Sequence, residues 1–451
     1  MNDTIVALAT PLGRSGIGVV RLSGPAAIDI YTSIVGSVPP LKARTASLRS
    51  ICDPRSPEHI IDEAVFTFFR APASFTGEDV LEIAAHGSPV VLRQIIDICL
   101  RQGARLAEPG EFTLRALANG KLDLAEAEAI RDLIDAQTSV AANQAIRQLR
   151  GEFSHELRPI KDDLLDVVVV LESALEFVED DLPDVQKGQV VDRLSSVEAK
   201  LRRIADTFAA GKLIREGLRL AIVGRPNVGK SSLFNALLGS ERAIVTEIAG
   251  TTRDQIHERF TIDNIPISLI DTAGMRETED VVESIGVERA KRAMADADLI
   301  FVVLDASQPL TDEDQAVISA AGGIEHLIVA NKADIASPEL EKLRSKFSES
   351  IAVSAKTGHG LDGLKQAVIE RFAPVENADS GFLVTDARHH DLLVRAADDI
   401  KNSAELYQAG ESEEIVLIGL HNAMLYLGRI TGETTTEDML TRIFSTFCIG
   451  K

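Results

Sequence analysis

The stretch Gly224-Arg225-Pro226-Asn227-Val228-Gly229-Lys230-Ser231 decides the fold of the central part of this chain. It fits the pattern G-x-x-x-x-G-K-[ST], in which a glycine-rich loop wraps phosphate groups with its backbone N–H groups. An apolar β-like run precedes it at residues 218–223, and a helical pattern follows at 231–238. The pattern requires this context, which weighs against a chance match. We therefore predict that Lys230 reaches the β- and γ-phosphates of a nucleotide and that the Ser231 hydroxyl ligates Mg²⁺.

Apolar β-like runs alternate with helical segments from residue 218 to about residue 371. Strands that alternate with helices predict a doubly wound α/β domain with a mostly parallel sheet. In such a domain, ligands bind at the carboxyl ends of the strands, and the glycine-rich loop follows one of them. The further runs lie at residues 267–270, 299–304, 327–330 and 351–353.

Four further motifs follow the glycine-rich loop. Thr251 and Thr252 lie in a loop where a threonine can ligate Mg²⁺ and sense a γ-phosphate. Asp271-Thr272-Ala273-Gly274 ends a strand and suits an aspartate near Mg²⁺ and a glycine N–H at the γ-phosphate. In Asn331-Lys332-Ala333-Asp334, the aspartate can accept the N1–H and N2–H of guanine, which adenine does not offer. Ser354-Ala355-Lys356 ends the next strand, where a backbone N–H can face guanine O6.

Five motifs in this order resemble the G domain of Ras-like GTPases, although each alone is weak. The resemblance covers residues 218–371 and implies that GTP rather than ATP is bound. The predicted Mg²⁺ ligands are Ser231 and Thr252. The predicted nucleotide-binding residues are Gly224, Asn227, Val228, Gly229, Lys230, Ser231, Ser232, Thr246, Glu247, Ile248, Ala249, Gly250, Thr251, Thr252, Asp271, Thr272, Ala273, Gly274, Asn331, Lys332, Asp334, Ser354, Ala355 and Lys356.

One position departs from the Ras-type pattern. Ras-type GTPases place a glutamine that orients water directly after D-x-x-G, but here that residue is Met275, which cannot orient water. The acidic stretch 277–280 leads to Glu283, a candidate for positioning the attacking water as the catalytic residue. The alternative is that these acidic residues form a solvated switch helix.

A bound K⁺ is the second feature that the G domain implies. Asn227 and the loop 246–252 resemble the GTPases that are activated by dimerisation and K⁺, in which the ion replaces an arginine finger. By this resemblance the K⁺ ligands are Asn227, Thr246, Ile248 and Thr251. An oxygen-rich site of this kind suits a hard cation.

Length, charge and cysteine content limit the classes of protein. The 451 residues suggest about three domains. The 47 Lys and Arg against 69 Asp and Glu give a net charge of −22. The overall charge therefore cannot attract nucleic acid, and binding to it would need a local basic patch on the protein or a partner protein. No apolar run approaches a membrane span, and the N-terminus lacks the features of a secretion signal. Three widely spaced cysteines form neither a disulfide framework nor a zinc spacing, which favours a reducing, cytoplasmic location.

The segments that flank the G domain divide into three parts. Residues 1–118 carry short β-like runs, a helix at 89–101 and many turn signals, which predict a mixed α and β domain. From about residue 122, and again from 376, apolar residues recur at helical spacing, for example at 156–178 and 190–210. We predict one helical domain interrupted by the inserted α/β domain. The expected domain limits are 1–119, 120–215, 216–375 and 376–451.

Sequence features across the whole chain resemble the tRNA-modification GTPase family MnmE, also called TrmE. The order of domains agrees, and the chain ends in Cys448-Ile449-Gly450-Lys451, which matches the family's C-terminal C-[IL]-G-K. The other matching stretches are Asp3 to Ala7, Gly13-Arg14, Gly18 to Gly24, Ser74 to Asp79, His86-Gly87, Pro109 to Thr113 and Lys121 to Leu124.

The resemblance implies that the N-terminal domain binds folate and forms a dimer. The positions that hold 5-formyl- or 5,10-methylene-tetrahydrofolate match Arg21, Glu82, Lys121 and Lys451. Their chemistry suits this role, because Glu82 can accept from a pair of pterin N–H groups, and Arg21 and Lys121 can meet carboxylates. The alternative for each residue is a surface ion pair.

Cys448 and the histidine pair at 389–390 admit more than one interpretation. Cys448 lies beside Lys451, so we hypothesise a catalytic or one-carbon-handling role for its thiol. A C-terminal prenylation box is rejected, because Ile-Gly-Lys fits no prenylation preference. We predict that His389 and His390 lie at the surface rather than in a metal site.

The resemblance thus implies a K⁺-dependent, homodimeric GTPase that modifies C5 of the wobble uridine of certain tRNAs. With the flavoprotein MnmG, also called GidA, it would add a (carboxymethyl)aminomethyl group using the one-carbon unit of a tetrahydrofolate. One alternative is a ribosome-assembly GTPase of the Era type, which predicts a basic RNA-binding face. Another is a scaffold that binds GTP without turning it over.

Overall fold

The computed structural model describes residues 3–36, 39–176, 184–240, 259–262, 265–270, 294, 296–335, 337–372 and 381–433, together with 440, 443–444, 447 and 450. Several predicted site residues lie outside them: 246–252, 271–274, Glu283, Cys448 and Lys451. Within the described residues, none of the helices combines the length and the apolar character that a membrane crossing needs.

The described strands are β1 (Ile5–Leu8), β2 (Ile17–Ser23), β3 (Ser47–Asp53), β4 (Ser56–Phe69), β5 (Val80–His86), β6 (Arg105–Leu106), β7 (Leu218–Val223), β8 (Arg259–Ile262), β9 (Ile265–Leu269), β10 (Leu299–Asp305), β11 (His326–Asn331) and β12 (Ile351–Ala352). The described helices are α1 (Ala27–Val35), α2 (Pro89–Arg101), α3 (Glu111–Ala118), α4 (Leu124–Asp135), α5 (Ser139–Leu149), α6 (Glu152–Glu176), α7 (Asp184–Ala205), α8 (Phe208–Glu216), α9 (Lys230–Ser240), α10 (Asp312–Ala321), α11 (Pro338–Lys346), α12 (Leu361–Phe372), α13 (Ala387–Ala409) and α14 (Glu413–Thr431).

The chain divides into two compact units. The first unit contains Met1–Asp135, Ala145–Lys200 and Arg395–Lys451. The second unit contains Ala136–Gln144 and Leu201–Val394. Each unit holds one six-stranded sheet.

The sheet of the first unit has the order β3-β4-β5-β2-β1-β6. Its neighbouring strands are antiparallel except β1 and β6, which are parallel. Alternate residues of the central strands, such as Leu22, Phe66 and Ile83, are fully buried on one face. Helices α1 and α2 cover that face, and Ile30 and Ile95 join the same core. The opposite face carries Arg21 and Glu82, which pair in the register of β2 and β5.

Helices and the C-terminal segment complete the first unit. Helices α6 and α14 pack together, and the Lys161 ammonium lies 2.6 Å from the Glu433 carboxylate. Phe444 and Phe447 bury their rings against Leu124 and Ala127 at the start of α4. This packing brings the end of the chain to the N-terminal sheet.

The sheet of the second unit has the order β12-β11-β10-β7-β9-β8. All neighbouring strands are parallel except β8 and β9, which form an antiparallel pair. Every residue of the central strand β10 is buried, as expected of a strand that is covered on both faces. Separate hydrophobic clusters cover the two faces. The predicted doubly wound α/β fold is thereby confirmed.

Two local predictions differ from the structure, and one strand was not predicted. The single helix predicted at 190–210 is two helices, α7 and α8, separated at Asp206 and Thr207. The Thr207 hydroxyl there donates to the carbonyl of Ile204 at 2.7 Å and accepts from the N–H of Val384 at 3.0 Å. The prediction that His389 lies at the surface is wrong, because its side chain is fully buried. Strand β3 was not predicted, because its sequence alternates little and most of its residues are partly exposed.

Candidate functional sites

The glycine-rich loop joins β7 to α9, as its pattern requires. Gly224 has φ 155°, and a Cβ at this position would lie 2.4 Å from the carbonyl oxygen of Val303. Gly229 has φ 96°, and its Cβ would lie 2.3 Å from the Asn331 amide nitrogen. Both positions therefore exclude any residue with a side chain. The glycines allow the loop to close tightly over the carboxyl edge of the sheet.

Lys230 lies inside this loop. Its ammonium donates to the carbonyl oxygens of Gly224 at 2.8 Å and Arg225 at 2.9 Å. Burial lowers the pKa of Lys230 from its usual value. The ammonium is thus held among the backbone groups that would surround a phosphate, at the N-terminus of α9, whose N–H groups favour an anion.

Asn331 connects the loop to the predicted guanine motifs. Its amide Nδ2 donates to the Val228 carbonyl oxygen at 2.9 Å, and its Oδ1 accepts from the Ala355 N–H at 3.0 Å. The side chain is almost fully buried. Three of the five predicted motifs therefore meet at one amide.

Lys332 makes a second connection between the same motifs. Its backbone has φ 64°, and its ammonium donates to the Asn227 carbonyl oxygen at 2.9 Å and to Asp305 Oδ2 at 2.7 Å. Burial raises the pKa of Asp305, but hydrogen bonds from Lys332 and Ser307 hold it below its usual value overall. Asp305 was not predicted as a site residue, although an aspartate at the end of an apolar strand was the available signal.

Asp334 presents a carboxylate for recognition of a base. The Ser354 hydroxyl donates to Asp334 Oδ1 at 2.7 Å. This hydrogen bond lowers the pKa of Asp334, so the group is a charged acceptor at neutral pH. Among the described residues none donates to Oδ2, which leaves that oxygen to accept from a guanine N–H.

A different site lies on the face of the first sheet that α1 and α2 leave uncovered. The Arg21 Nε donates to Glu82 Oε1 at 3.0 Å, and Nη2 lies 2.8 Å from the same oxygen. Nη1 donates to the carbonyl of Gly450 at 3.2 Å, and the guanidinium lies 5.9 Å from the centre of the Phe112 ring. The structure thus brings Arg21 and Glu82 together beside the backbone of Gly450.

The remaining predicted folate residue, Lys121, lines a cavity of about 640 Å³ on the same domain. No hydrogen bond or ion pair joins Lys121 to Arg21 or Glu82 in the described part of the chain. Glu82 Oε2 accepts from none of the described residues, so it can accept from a ligand. Arg21, Glu82 and Lys121 therefore lie on one domain, with an acceptor oxygen of Glu82 and the Lys121 ammonium left to contact a ligand.

Two family models match the chain. The model for the GTP-binding protein TrmE N-terminus matches residues 4–121, and the model for the MnmE helical domain matches residues 124–448. This chain belongs to the MnmE family. Both matches agree with the motifs from which the family resemblance was predicted.

Curated relatives of the family match over their whole length. The tRNA modification GTPase MnmE of Aquifex aeolicus (strain VF5) is 45% identical over 453 residues, covering 100% of both chains. The protein of the same name from Koribacter versatilis (strain Ellin345) is 42% identical over 455 residues, again covering 100% of both. A solved G domain, that of the T. maritima FeoB iron transporter, is 26% identical over 34% of this chain and 97% of its own, with a TM-score of 0.25.

Proposed function

We propose that this chain is a GTPase that acts in tRNA modification. The observation that carries the GTPase proposal is the Asn331 side chain, which joins the glycine-rich loop at Val228 to the base-recognition loop at Ala355. The tRNA part rests on the relatives, which are named tRNA modification GTPases. The chemical target within tRNA that the family resemblance implies is C5 of the wobble uridine.

Different residues would bind the phosphates, the base and the metal ion of the nucleotide. Lys230 moves from the loop carbonyls to the β- and γ-phosphates when GTP binds, and offsets their negative charge. Asp334 accepts the guanine N1–H and N2–H, and the Ala355 region faces guanine O6. Ser231 at the start of α9, with Thr252, would hold Mg²⁺, which supplies charge stabilisation to the phosphates when it is bound.

The proposal extends to K⁺ and to Glu283. Asn227, with φ 64°, lies at the turn of the glycine-rich loop, and we place K⁺ against it with Thr246, Ile248 and Thr251 as further ligands. Glu283 would position the attacking water that Met275 cannot orient. GTP hydrolysis in KCl should exceed that in NaCl, and Glu283→Ala should slow hydrolysis while sparing GTP binding. Equal rates in both salts at concentrations that support dimers would remove K⁺ from the proposal.

A folate would bind on the sheet face that carries Arg21 and Glu82. Glu82 Oε1 is fixed by Arg21, so Oε2 is oriented towards a ligand and can accept from a pterin N–H pair. Lys121 and Lys451 would meet carboxylates, and Cys448 stays a candidate for handling the one-carbon unit. The folate supplies that unit when it is bound. Equilibrium binding of 5-formyl-tetrahydrofolate should be lost in Glu82→Ala and retained in Cys448→Ser.

The assembly that we propose is a cytoplasmic homodimer that works with the FAD-containing protein MnmG on tRNA. The uncovered face of the first sheet exposes Leu48 and Val65, which face each other across β3 and β4 and offer an apolar surface to a second copy. We also propose the domain limits 1–119, 120–215, 216–375 and 376–451. Sedimentation analysis tests the dimer directly.

Nucleoside mass analysis of tRNA tests the function as a whole. In cells that lack this protein, the modified wobble uridine should disappear. It should return with the wild-type gene but not with a Lys230→Ala gene. An unchanged set of tRNA nucleosides together with accumulating ribosomal subunits would instead indicate a ribosome-assembly GTPase.

A further inference from the structure

The cavity that Lys121 lines has the chemistry of an anion site with aromatic walls. Two basic side chains, Arg44 and Lys121, and two aromatic rings, Phe69 and Phe75, line it. The Thr67 hydroxyl forms part of the wall. No carboxylate is among the described residues that line it.

Strand register connects this cavity to the Arg21 and Glu82 pair. Thr67 pairs with Glu82 between β4 and β5, and Glu82 pairs with Arg21 between β5 and β2. Directly paired residues lie side by side on one face, so the cavity and the ion pair share a continuous surface. The Arg44 N–H donates to the Phe68 carbonyl at 2.7 Å, which places it beyond β4. Three strand spacings therefore separate Arg44 from Arg21, roughly 14 Å.

Arg44 is held in an unusual backbone conformation. Among the described residues, three that are not glycine have positive φ: Arg44 at 58°, Asn227 at 64° and Lys332 at 64°. The other two belong to the predicted nucleotide site. A positive φ costs conformational free energy in a residue with a side chain, and residues of this kind are concentrated at ligand sites, where the surrounding structure holds them. The Arg44 Nη2 donates to the Ala73 carbonyl at 2.9 Å. That bond orients the guanidinium. None of the carboxylates in the described residues forms an ion pair with it.

Lys121 is positioned by its own loop. The Asn119 amide donates to the carbonyl of Thr76 at 2.7 Å, which ties the Lys121 loop to the loop that carries Phe75. The aliphatic stem of Lys121 passes close over Gly77, where a Cβ would lie 3.4 Å from Lys121 Cε. In the described part of the chain no acidic group pairs with the ammonium. Two unpaired cations therefore converge on one cavity.

We propose that Arg44 binds the glutamate tail of the tetrahydrofolate whose pterin ring lies at Glu82. The inference rests on the proposed folate site and names the part of the ligand that this site selects. Arg44 lies two strand spacings from Glu82, roughly 10 Å, which is comparable with the length of an extended p-aminobenzoyl-glutamate arm. The Phe69 and Phe75 rings contact the aromatic ring of that arm, and the Arg44 guanidinium pairs with the tail carboxylates.

Comparing two ligands, with and without the glutamate tail, on the wild type and on Arg44 variants isolates this contact. Equilibrium binding is measured for 5-formyl-tetrahydrofolate and for 5-formyl-tetrahydropteroate, which lacks the glutamate. The full-length wild-type chain should bind the glutamate form roughly fivefold tighter, as expected of a partly exposed ion pair. Arg44→Ala should lose most of this preference and keep only the part that Lys121 contributes. Arg44→Gln serves as a second variant. Arg55→Ala, a change at an exposed arginine in the turn between β3 and β4, is the matched control and should keep the wild-type ratio.

The outcomes separate this inference from the folate proposal. A ratio that falls towards one in Arg44→Ala, with unchanged affinity for the pteroate and an unchanged thermal unfolding curve, supports the tail contact. A ratio that survives in both Arg44 variants overturns it and leaves the folate site in place. If the wild-type chain binds neither ligand, the folate proposal itself fails. If Arg44→Ala weakens tRNA binding while the ratio stays, the cavity binds RNA phosphate and the tail contact is wrong.

Discussion

The side chain of Asn331 donates to the backbone carbonyl of Val228 at 2.9 Å, although 103 residues separate the two in sequence. The same amide accepts from Ala355 N–H. A single buried side chain therefore sets the distance between the phosphate end and the base end of the nucleotide site. Any change in it should act on both ends at once.

Replacing Asn331 by alanine should weaken nucleotide binding and destabilise the second unit together. The change leaves the Val228 carbonyl and the Ala355 N–H without their partner, and each buried unpaired group costs about 1–3 kcal/mol. Fluorescent GDP titration and thermal unfolding measure the two effects. Ser337→Ala, which removes the cap of α11 away from this amide, should lower the stability modestly and leave GDP affinity unchanged. An Asn331→Ala protein with wild-type GDP affinity would contradict the connection.

Asp334→Asn should exchange the preferred base from guanine to xanthine. The Asp334 carboxylate is charged, because the hydrogen bond from Ser354 lowers its pKa, and it accepts two guanine N–H groups. The asparagine NH₂ group would face the guanine N2–H, so that two donors oppose each other. Xanthine carries an oxygen acceptor in place of that amino group and can accept from the asparagine NH₂. Competition of GTP and XTP for the bound fluorescent nucleotide measures the exchange. We expect GTP affinity to fall by about 10-fold or more, since removing a hydrogen bond to a charged group costs about 1.5–3 kcal/mol.

Local sequence patterns predicted the helices and strands that are determined by residues close together in the sequence. Helix α2 begins at Pro89 and ends at Arg101 as predicted, because Pro suits the first helical turn and its buried residues Leu92, Ile95 and Cys99 recur at helical spacing. Strand β7 and the loop after it were also predicted, because an apolar run followed directly by the glycine pattern indicates a strand that leads into a phosphate-binding loop. The doubly wound fold followed from the same alternation.

Contacts between residues far apart in sequence were beyond those patterns. His389 is polar and has a histidine neighbour, so it resembled a surface residue, yet the packing of the second unit buries it. The role of Asp305 depends on Lys332, which reaches it from the next strand. Arg44 carries no motif at all, and only its hydrogen bond to Phe68 and the cavity that it shares with Thr67 place it near Glu82. Motifs identify the chemistry of a site, whereas the tertiary fold decides which residues share it.

The two described cysteines should differ strongly in their reaction with thiol reagents. Cys99 is fully buried in the core of the first sheet, and burial raises its pKa to about 12. At mildly alkaline pH the thiolate fraction is then on the order of one part in 10,000. Cys52, in β3, is partly exposed. Peptide mass mapping after brief iodoacetamide treatment should find Cys52 modified and Cys99 intact, with the denatured protein as the control in which both react.

Arg115 should control the acid sensitivity of the first unit. Its guanidinium is almost completely buried and donates to Asp3 Oδ1 at 2.8 Å, Glu111 Oε1 at 2.9 Å and Glu78 Oε2 at 3.1 Å. Arg115→Met removes the buried cation that these carboxylates share and leaves Asp3 and Glu111 with Arg105 alone. The cost should therefore fall below the roughly 3–5 kcal/mol of a buried ion pair that loses its only partner. Hydrogen exchange of the peptide that contains α3 should report faster opening in this variant. Arg55→Met, at an exposed position, should exchange like the wild type.

The same network fixes the sign of the pH dependence. The hydrogen bond from Arg105 is the largest influence on Asp3 and lowers its pKa; burial raises the pKa of Glu111, but bonds from Arg105 and Arg115 lower it overall. A carboxylate with a lowered folded pKa stabilises the fold fully above its unfolded value of about 4, and this contribution is lost as the pH falls through the folded pKa. Acidification from about pH 6 to about pH 3 should therefore lower the protection of this peptide, measured relative to the intrinsic exchange rate at each pH, more in the wild type than in Arg115→Met. An equal loss of protection in both proteins would show that Arg115 does not contribute to these lowered pKa values beside Arg105. Arg115→Lys, which keeps the charge, should retain most of the wild-type slope.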